Sequence, residues 1–229
     1  GRQESVSSTI ITSGLVMHLD AGDVNSYPGS GTTWTDLSGN GNDGTLKNGP
    51  TYSSDVGGAI VFDGVNDYVD TNLFLNTTTN VTIQGWVNIS TTSLKGAFIK
   101  VGAGSNGYAI GVGSSHFDVA GNQIIGLFSG SRWINTGINY GTGWKFFTLT
   151  LSATSVPTIY LNSTLIGSYT GSNPVTPSSG VYLGRAIGDE PSGNRAFAGS
   201  MVQAVIYNRV LTPEEIQQNY NVTKARFGL

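Results

Sequence analysis

Residues 81–89 read VTIQGWVNI, and apolar and polar side chains alternate along this stretch. One set comprises Val81, Ile83, Val87 and Ile89, and the intervening set includes Thr82, Gln84 and Asn88. Successive side chains of a β-strand point to opposite faces, so the alternation predicts a strand with one buried face and one more polar face. Trp86 falls on the polar face, which predicts that a second layer or a loop covers that side of the strand.

Similar short apolar runs, separated by turn-forming residues, occur on both sides of this stretch. We predict further strands at 14–19, 58–63, 97–101, 107–113, 123–128, 144–151, 158–162, 164–169, 180–184 and 201–208. The run TIYLNSTLIGSY, 158–169, predicts a tight hairpin around Asn162 and Ser163. About a dozen short strands are typical of an all-β protein. We therefore predict a two-sheet antiparallel β-sandwich, or jelly roll, with a closed barrel as the alternative.

One short helix is predicted near the C-terminal end of the sequence. Thr212 is a suitable N-cap, Pro213 suits the first helical position, and Glu215 completes a capping box three residues after the cap. The expected helix covers about 213–220. Residues 1–13 are polar and lack a periodic pattern, so we expect an arm or tether there, followed by one domain over 14–229 that ends in a C-terminal tail.

The composition limits the classes of partner. Only 11% of the residues are charged and the formal net charge is −3, which provides no basic surface for nucleic acid or anionic lipid. No apolar run reaches the length of a membrane-spanning helix, so a soluble chain without membrane insertion is expected. The chain contains no cysteine, so neither disulfides nor thiolate metal sites contribute to its stability.

Two acidic stretches are candidates for calcium binding. In WTDLSGNGNDGTL, residues 34–46, the spacing of Asp36, Ser38 and Asn40 matches an EF-hand loop, but the twelfth position is Lys47 rather than a carboxylate. Asx turns are the favoured interpretation of that stretch. In the second stretch, 62–70, Asp63 and Asp67 are candidate ligands for Ca²⁺, with turn formation as the alternative. No cofactor is required by the sequence.

Catalytic residues are scarce. Of the four glutamates, only Glu190 lies within the region of predicted strands, next to Asp189. Glycoside hydrolysis usually needs two facing carboxylates, and the sequence has no Glu-x-Asp-x-Glu triplet. A serine nucleophile elbow and a phosphate-binding loop are also missing from the sequence. We predict that the domain is not an enzyme, with a polysaccharide hydrolase or lyase as the remaining alternative.

Carbohydrate binding is better supported by the residue types. Sugar sites combine an aromatic platform with planar polar groups, and two predicted loops, 130–140 and 184–197, offer these. The candidate ligand-binding residues are Arg132, Trp133, Tyr140 and Arg195. The alternative for Trp133 is an ordinary place in the core between the sheets.

Several segments, in order, resemble the laminin-G-like, concanavalin A-like lectin domains. They are WTDLSGNGNDGTL (34–46), GGAIVFDGVNDYV (57–69), VTIQGWVNIS (81–90), WKFFTLTLS (144–152), TIYLNSTLIGS (158–168) and FAGSMVQAVIYNRVLTPEEI (197–216). The resemblance implies a jelly roll of two curved sheets that is usually non-catalytic and serves in carbohydrate binding or adhesion. Family members often carry an Asp that helps to hold calcium in the last strand, where this sequence has Met201 to Ala204 without a carboxylate.

The last stretch, YNRVLTPEEIQQNYNVTKARFGL (207–229), resembles the ends of such modules in structural proteins of phages and other viruses. This resemblance implies a virion surface module that decorates a capsid or forms part of a fibre or tail. Its expected partners are other virion proteins and cell-surface glycans, and a homo-oligomer is left open. The alternatives are a structural cement protein without a ligand and a module of a bacterial surface adhesin.

Overall fold

The computed structural model describes residues 9–91, 93–104, 106–114, 120–129, 132–154, 156–169, 174–186 and 195–229. Within these ranges the chain forms sixteen strands and one α-helix. The strands are β1 Leu15–Asp20, β2 Thr33–Trp34, β3 Gly44–Lys47, β4 Thr51–Ser53, β5 Ala59–Asp63, β6 Tyr68–Thr71, β7 Val81–Ile89, β8 Gly96–Val101, β9 Tyr108–Gly113, β10 Gln123–Ser129, β11 Arg132–Asn139, β12 Gly143–Leu151, β13 Pro157–Leu161, β14 Thr164–Ser168, β15 Val181–Leu183 and β16 Ala198–Tyr207. The helix is α1 Pro213–Thr223, and 3₁₀ turns cover Asp55–Gly57 and Lys224–Phe227.

The strands form two sheets. Sheet A has the order β14-β13-β12-β7-β16-β5-β4, and β1 also pairs with β16. Sheet B has the order β11-β10-β9-β8-β15-β6-β3-β2. All of the paired strands run antiparallel. The predicted two-sheet sandwich is confirmed, and the closed-barrel alternative is wrong.

The main core lies between the two sheets. The inward side chains of β7, among them Ile83 and Val87, pack with those of sheet B such as Val101 and Leu183. The bounds of β7 match the predicted strand at 81–89. The local alternation of β7 therefore predicted which of its side chains face the other sheet.

The C-terminal segment covers the other face of β7. Trp86 stacks on Phe227 with ring centroids 4.0 Å apart, and its indole nitrogen donates to Thr223 Oγ1 at 2.8 Å. The predicted helix is confirmed, with both hydrogen bonds of the capping box between Thr212 and Glu215. The segment after residue 220 was predicted to be a tail. It instead packs onto sheet A, where Phe227 and Thr223 bury the indole ring of Trp86. Among the described residues, no helix is long and apolar enough to span a bilayer.

The predicted boundary at residue 13 lies inside the packed part of the chain. Ile11 N–H donates to Asn219 Oδ1 at 2.8 Å, and Tyr207 Oη donates to the Ile11 carbonyl at 2.9 Å. Arg209 Nε donates to the Ser13 carbonyl at 2.8 Å. Residues 9–13 are thus held between α1 and the end of β16. Residues 1–8 of the predicted arm lie outside the described residues.

The hairpin prediction at Asn162 and Ser163 is confirmed, since both residues have positive φ between β13 and β14. Five strands were not predicted: β2, β3, β4, β6 and β11. Four of them are at most four residues long and lie among Asp, Asn and Gly residues that indicate turns. The fifth, β11, carries a bulge near Gly137, so its side chains do not alternate regularly.

Candidate functional site

The outer face of sheet B, which points away from the core, carries the candidate site. Val69 on β6 and Leu183 on β15 are paired with each other and buried in the core. Their neighbours Tyr68, Asp70 and Tyr182 therefore point to the opposite side of the sheet. All three side chains are half-buried, so a ligand at this face can reach them.

Two tyrosines and one aspartate form the centre of this face. The rings of Tyr68 and Tyr182 meet edge to face, with centroids 6.4 Å apart and an interplanar angle of 65°. Asp70 is paired directly with Tyr182 on one side and with Thr45 of β3 on the other. Antiparallel pairing brings directly opposite side chains to within about 5 Å of each other at Cβ, so the carboxylate lies beside the phenol ring. The arrangement offers aromatic surface, hydroxyl groups and one anionic acceptor.

A buried lysine lies on the far side of Tyr182. Lys100 of β8 is paired with Tyr182 and is fully buried. Its ammonium donates to the Val101 carbonyl at 3.1 Å and to the Asn106 carbonyl. These carbonyl contacts tie β8 to the segment at Asn106, so the lysine has a structural role beside the site.

Trp133 lies on the same outer face, four strands away from Tyr182. It packs against Ala97, Ile125 and Ala186. With adjacent strands about 4.8 Å apart, the two aromatic positions are separated by roughly 19 Å across the sheet. Trp133 is half-buried, and the structure thus supports a role in this small cluster on the outer face rather than in the core between the sheets.

The amide of Asn135, two residues beyond Trp133, is fixed by hydrogen bonds. Its Nδ2 donates to Gln123 Oε1 at 2.5 Å and to the Ser114 carbonyl at 2.7 Å. Its Oδ1 accepts from Gly137 N–H at 2.8 Å. The amide of Asn135 is therefore oriented by β10, by the residue that follows β9 and by its own strand.

The predicted ligand residues are only partly brought together. Arg132 and Trp133 lie on β11, which corrects the predicted loop at 130–140 to a strand over most of its length. The Arg195 carbonyl accepts from Ala186 N–H at 3.5 Å, and Ala186 belongs to the cluster against which Trp133 packs, so this segment reaches the same area. The Arg132 side chain lies outside the described part of the chain.

Tyr140 does not belong to this face. Its side chain is buried in the core, and its hydroxyl donates to the Gly121 carbonyl at 2.5 Å. The prediction that Tyr140 contacts a ligand needs correction, because its ring and hydroxyl are already used inside the fold. Sequence reasoning missed Tyr68 and Tyr182 and considered Asp70 only as part of the acidic stretch 62–70. In YVD, however, a tyrosine and an aspartate flank a buried valine, and in VYL a tyrosine lies between two buried aliphatic residues.

Side chains of the stretch 34–46 form hydrogen bonds to the free edge of β1. Asp36 Oδ1 accepts from His18 N–H at 2.8 Å and Ser38 N–H at 2.9 Å, and Asp36 Oδ2 accepts from Ser38 Oγ at 2.7 Å and Asn42 N–H at 3.0 Å. Asn42 Nδ2 donates to the Val16 carbonyl at 2.7 Å. Burial alone would raise the pKa of Asp36, but these hydrogen bonds outweigh burial and hold the pKa below its usual value.

Asp63 and Asp67 hold the turn between β5 and β6. Asp63 Oδ1 accepts from Val65 N–H at 2.7 Å and Asn66 N–H at 3.2 Å, and Asp67 Oδ2 accepts from Asp63 N–H at 3.0 Å. The bond from Val65 lowers the pKa of Asp63, whereas burial raises the pKa of Asp67. The two carboxylates therefore have the geometry of a turn, in which backbone amides occupy their oxygens.

Within the described ranges, no three His, Asp or Glu side chains lie close enough to hold a metal ion. Glu190 and Asp189, which the sequence analysis considered for catalysis, lie outside the described residues.

The fold and the matched region together decide the family. A profile described as the concanavalin A-like lectin/glucanases superfamily matches residues 63–217, more than half of the chain. The chain belongs to the concanavalin A-like lectin/glucanase superfamily. The superfamily match covers the strands from the end of β5 to β16 and the first five residues of α1, including Tyr68, Asp70, Trp133 and Tyr182. A comparison with curated proteins gave no match.

Solved structures with the same superfamily fold are similar to this chain at low sequence identity. Domain 4 of AbnA, a GH43 extracellular arabinanase from Geobacillus stearothermophilus, in complex with arabinotriose, aligns at a TM-score of 0.66 and 17% identity, covering 90% of this chain and 98% of that domain. The binding domain of Paraclostridial Mosquitocidal Protein 1 aligns at 0.69 and 15%, covering 92% and 52%. Trypanosoma rangeli sialidase aligns at 0.64 and 15%, covering 92% of this chain, which spans 33% of the sialidase chain.

Proposed function

We propose that this domain is a non-catalytic glycan-binding module and that the outer face of sheet B is its binding face. The observation that carries the proposal is the edge-to-face pair of Tyr68 and Tyr182 beside the carboxylate of Asp70. A pyranose ring presents C–H groups on its faces and hydroxyl groups around its edge. Aromatic rings pack against the former, and a carboxylate accepts hydrogen bonds from the latter.

The surroundings of Asp70 support binding without hydrolysis. Hydrolysis of a glycosidic bond usually needs two carboxyl groups about 5–10 Å apart. The cross-strand neighbours of Asp70 on its face are Thr45 and Tyr182, neither of which is a carboxylate. A lone acceptor next to aromatic rings suits recognition, because it orients a sugar without supplying an acid and a nucleophile.

A glycan array with matched variants tests the binding face. Tyr182→Ala removes the central ring, and we expect glycan binding to weaken at least about tenfold, since hot-spot aromatics commonly contribute this much. Tyr52→Ala is the matched control, because it removes one ring of the comparable Tyr27–Tyr52 pair, with centroids 5.6 Å apart, near β4 of sheet A. Equal binding by both variants, with circular dichroism unchanged, would contradict the assignment of the face.

Trp133→Ala tests the second aromatic position. We expect weaker binding of longer glycans, since Trp133 lies roughly 19 Å from Tyr182 on the same face. The array is run with calcium and with a chelator. We propose that binding needs no calcium, because backbone amides already occupy oxygens of Asp36, Asp63 and Asp67. Binding that disappears with the chelator would reject this part of the proposal.

Catalysis is tested with bound polysaccharides. The domain is incubated with each glycan that it binds, and released reducing ends are measured over time. We expect none above the buffer control. Release that is abolished by Asp70→Asn or by Glu190→Gln would identify a hydrolase instead.

We also propose that the module is displayed on a virion, where it contacts other structural proteins and host glycans. The support is the resemblance of residues 207–229 to the ends of viral structural modules, together with a cysteine-free fold. Labelling of purified particles with an antibody against the domain tests the location. Labelled bacterial surfaces without labelled particles would favour the adhesin, and labelled particles without any glycan binding would favour the structural cement.

A further inference from the structure

Three loops meet at the end of sheet B next to Asp70 and Tyr182. We call residues 72–76, 106–107 and 174–180 the neutral loop cluster. Val181 N–H donates to the Leu73 carbonyl at 3.1 Å, and Gly107 N–H donates to the Val175 carbonyl at 2.6 Å. Asn106 Nδ2 donates to Ser178 Oγ at 3.3 Å. These bonds join the three loops into one surface.

Phe74 is presented to solvent from this surface. Its side chain is 55% exposed, whereas its neighbours Leu73 and Leu75 are 6% and 8% exposed and pack in the core. The loop is anchored further at Thr71, whose Oγ1 donates to the Val181 carbonyl at 3.0 Å. Among the aromatic side chains that the structure describes, Phe74 is the only exposed one, and the others are buried or half-buried. Because both neighbours of Phe74 are buried, the backbone that carries the exposed ring is already ordered. Binding a ligand at this ring therefore costs little conformational entropy.

The charge of the cluster limits its ligand. None of its residues is Asp, Glu, Lys or Arg, and the whole run from 146 to 184 is also uncharged. Phosphate groups, anionic lipids and nucleic acids are bound through cations, which this surface does not provide. The exposed polar groups of the cluster are amides and hydroxyls such as those of Asn72, Asn76 and Ser178. Such neutral donors and acceptors around an aromatic ring suit an uncharged saccharide.

The cluster is continuous with the proposed binding face. Phe74 follows Asp70 by four residues, which limits the separation of their Cα atoms to about 14 Å. Lys100, paired with Tyr182, also contacts the Asn106 carbonyl of the cluster. A short oligosaccharide seated at Tyr182 is therefore long enough to reach the loops.

We infer that the neutral loop cluster is an extension subsite, in which Phe74 stacks on a further sugar unit of a neutral oligosaccharide bound at Tyr182. The inference rests on the proposed glycan binding and adds a preference for uncharged oligosaccharides over monosaccharides. In this arrangement Tyr182 binds the first unit, and Phe74 supplies the gain in affinity with chain length.

The experiment compares monosaccharides with neutral oligosaccharides of the same sugar by calorimetry. Phe74→Ala is expected to reduce the affinity for the oligosaccharide about tenfold while changing the affinity for the monosaccharide less than twofold. Phe74→Trp, which keeps an aromatic ring, is expected to retain the gain with chain length. Leu165→Ala is the control, because Leu165 is also 55% exposed but lies on β14 at the edge of sheet A.

The outcomes separate this inference from the proposed function. Oligosaccharide binding that is lost in Tyr182→Ala but unchanged in Phe74→Ala would overturn the extension subsite and leave the binding face standing. An altered sedimentation coefficient in Phe74→Ala, with unchanged glycan affinity, would assign the cluster to a protein contact and also overturn it. A wild-type domain that binds no saccharide would reject the proposed function itself.

Discussion

At the scale of single residues, Asp36 shows how one side chain organises a turn. It accepts four hydrogen bonds, one of them from His18 N–H on the free edge of β1. Asn42 covers a carbonyl of the same edge at Val16. An unpaired strand edge invites pairing with another chain, and this loop occupies the edge with side chains instead. The residues whose spacing resembles a calcium loop thus hydrogen-bond to the backbone of β1 and of their own turn.

Asp36→Ala is expected to lower the free energy of unfolding by about 2–3 kcal/mol, because three partly buried backbone amides lose their acceptor. Urea denaturation followed by circular dichroism measures the change. Asp55→Ala is the control, since Asp55 is exposed, and its effect is expected to stay within about 0.5 kcal/mol. Equal effects of the two substitutions would contradict the role of Asp36.

His18 is expected to make the stability of the domain depend on pH. Its Nε2 lies 3.0 Å from Gln203 Nε2, and because an amide nitrogen only donates, this contact requires a neutral ring. Burial lowers the pKa of His18 below 6.5 and outweighs the opposing effect of nearby carboxylates, first that of Asp20. Below that pH the unfolded chain binds a proton that the folded chain excludes. Stability is therefore expected to fall as the pH drops below 6.5.

The measurement is a series of urea denaturations between pH 5 and pH 7.5, with wild type beside His18→Gln. The variant keeps a polar side chain but has no group that titrates there, so its free energy of unfolding is expected to change less over this interval. Asp36, whose pKa is lowered in the folded state, stops contributing to stability only when the pH falls below 3.8. Equal slopes for the two proteins between pH 5 and pH 7 would show that His18 does not cause the effect.

At the scale of elements, the C-terminal helix and its 3₁₀ turn serve as the cover of sheet A. Trp86 contacts Tyr220 and Phe227, and Phe227 also contacts Trp144, with ring centroids 4.9 Å apart. Arg226 Nη1 donates to Asp20 Oδ1 at 2.7 Å, which ties the turn to the end of β1. The aromatic outer face of sheet A is thereby buried, in contrast to the half-exposed aromatic residues of sheet B.

Phe227→Ala is expected to lower the free energy of unfolding by about 1–3 kcal/mol, because it removes the ring stacked on Trp86. Tryptophan emission should shift to longer wavelength as Trp86 and Trp144 become more hydrated. Leu229→Ala, at an exposed position two residues later, is the control and should change neither quantity. An unchanged emission spectrum in Phe227→Ala would show that the turn is not the cover of Trp86 in solution.

At the scale of the whole molecule, strand pairs join distant parts of the chain. β1 pairs with β16 from Leu15↔Tyr207 to Asp20↔Gln203, and the N-terminal residues also bind α1. Forming such pairs requires closing long loops before the contacts contribute stability. The sandwich brings both ends of the described chain to the same side of sheet A.

This topology predicts slow folding. Refolding from urea is expected to take milliseconds to seconds, as in other β-sandwiches of high contact order. Stopped-flow fluorescence of the buried tryptophans measures the rate. Refolding that is complete within microseconds would be incompatible with β1–β16 pairing as part of the rate-limiting step.

The sequence by itself determined the features that depend on neighbours along the chain. The alternation in 81–89 determined β7 and its buried face, Thr212 and Glu215 determined the start of α1, and Asn162 with Ser163 determined the hairpin. Each of these involves residues within a few positions of one another. Periodicity, capping and turn formation are local effects, which is why they can be predicted without knowing the fold.

The tertiary structure decided which distant residues share a surface. Asp70 and Tyr182 are 112 positions apart and become neighbours only through the register of β6 with β15. Conversely, Tyr140 follows Trp133 closely in the sequence, but its ring lies in the core whereas Trp133 packs on the outer face. Register and layer packing arise from the sum of many long-range contacts, so no local pattern contains them.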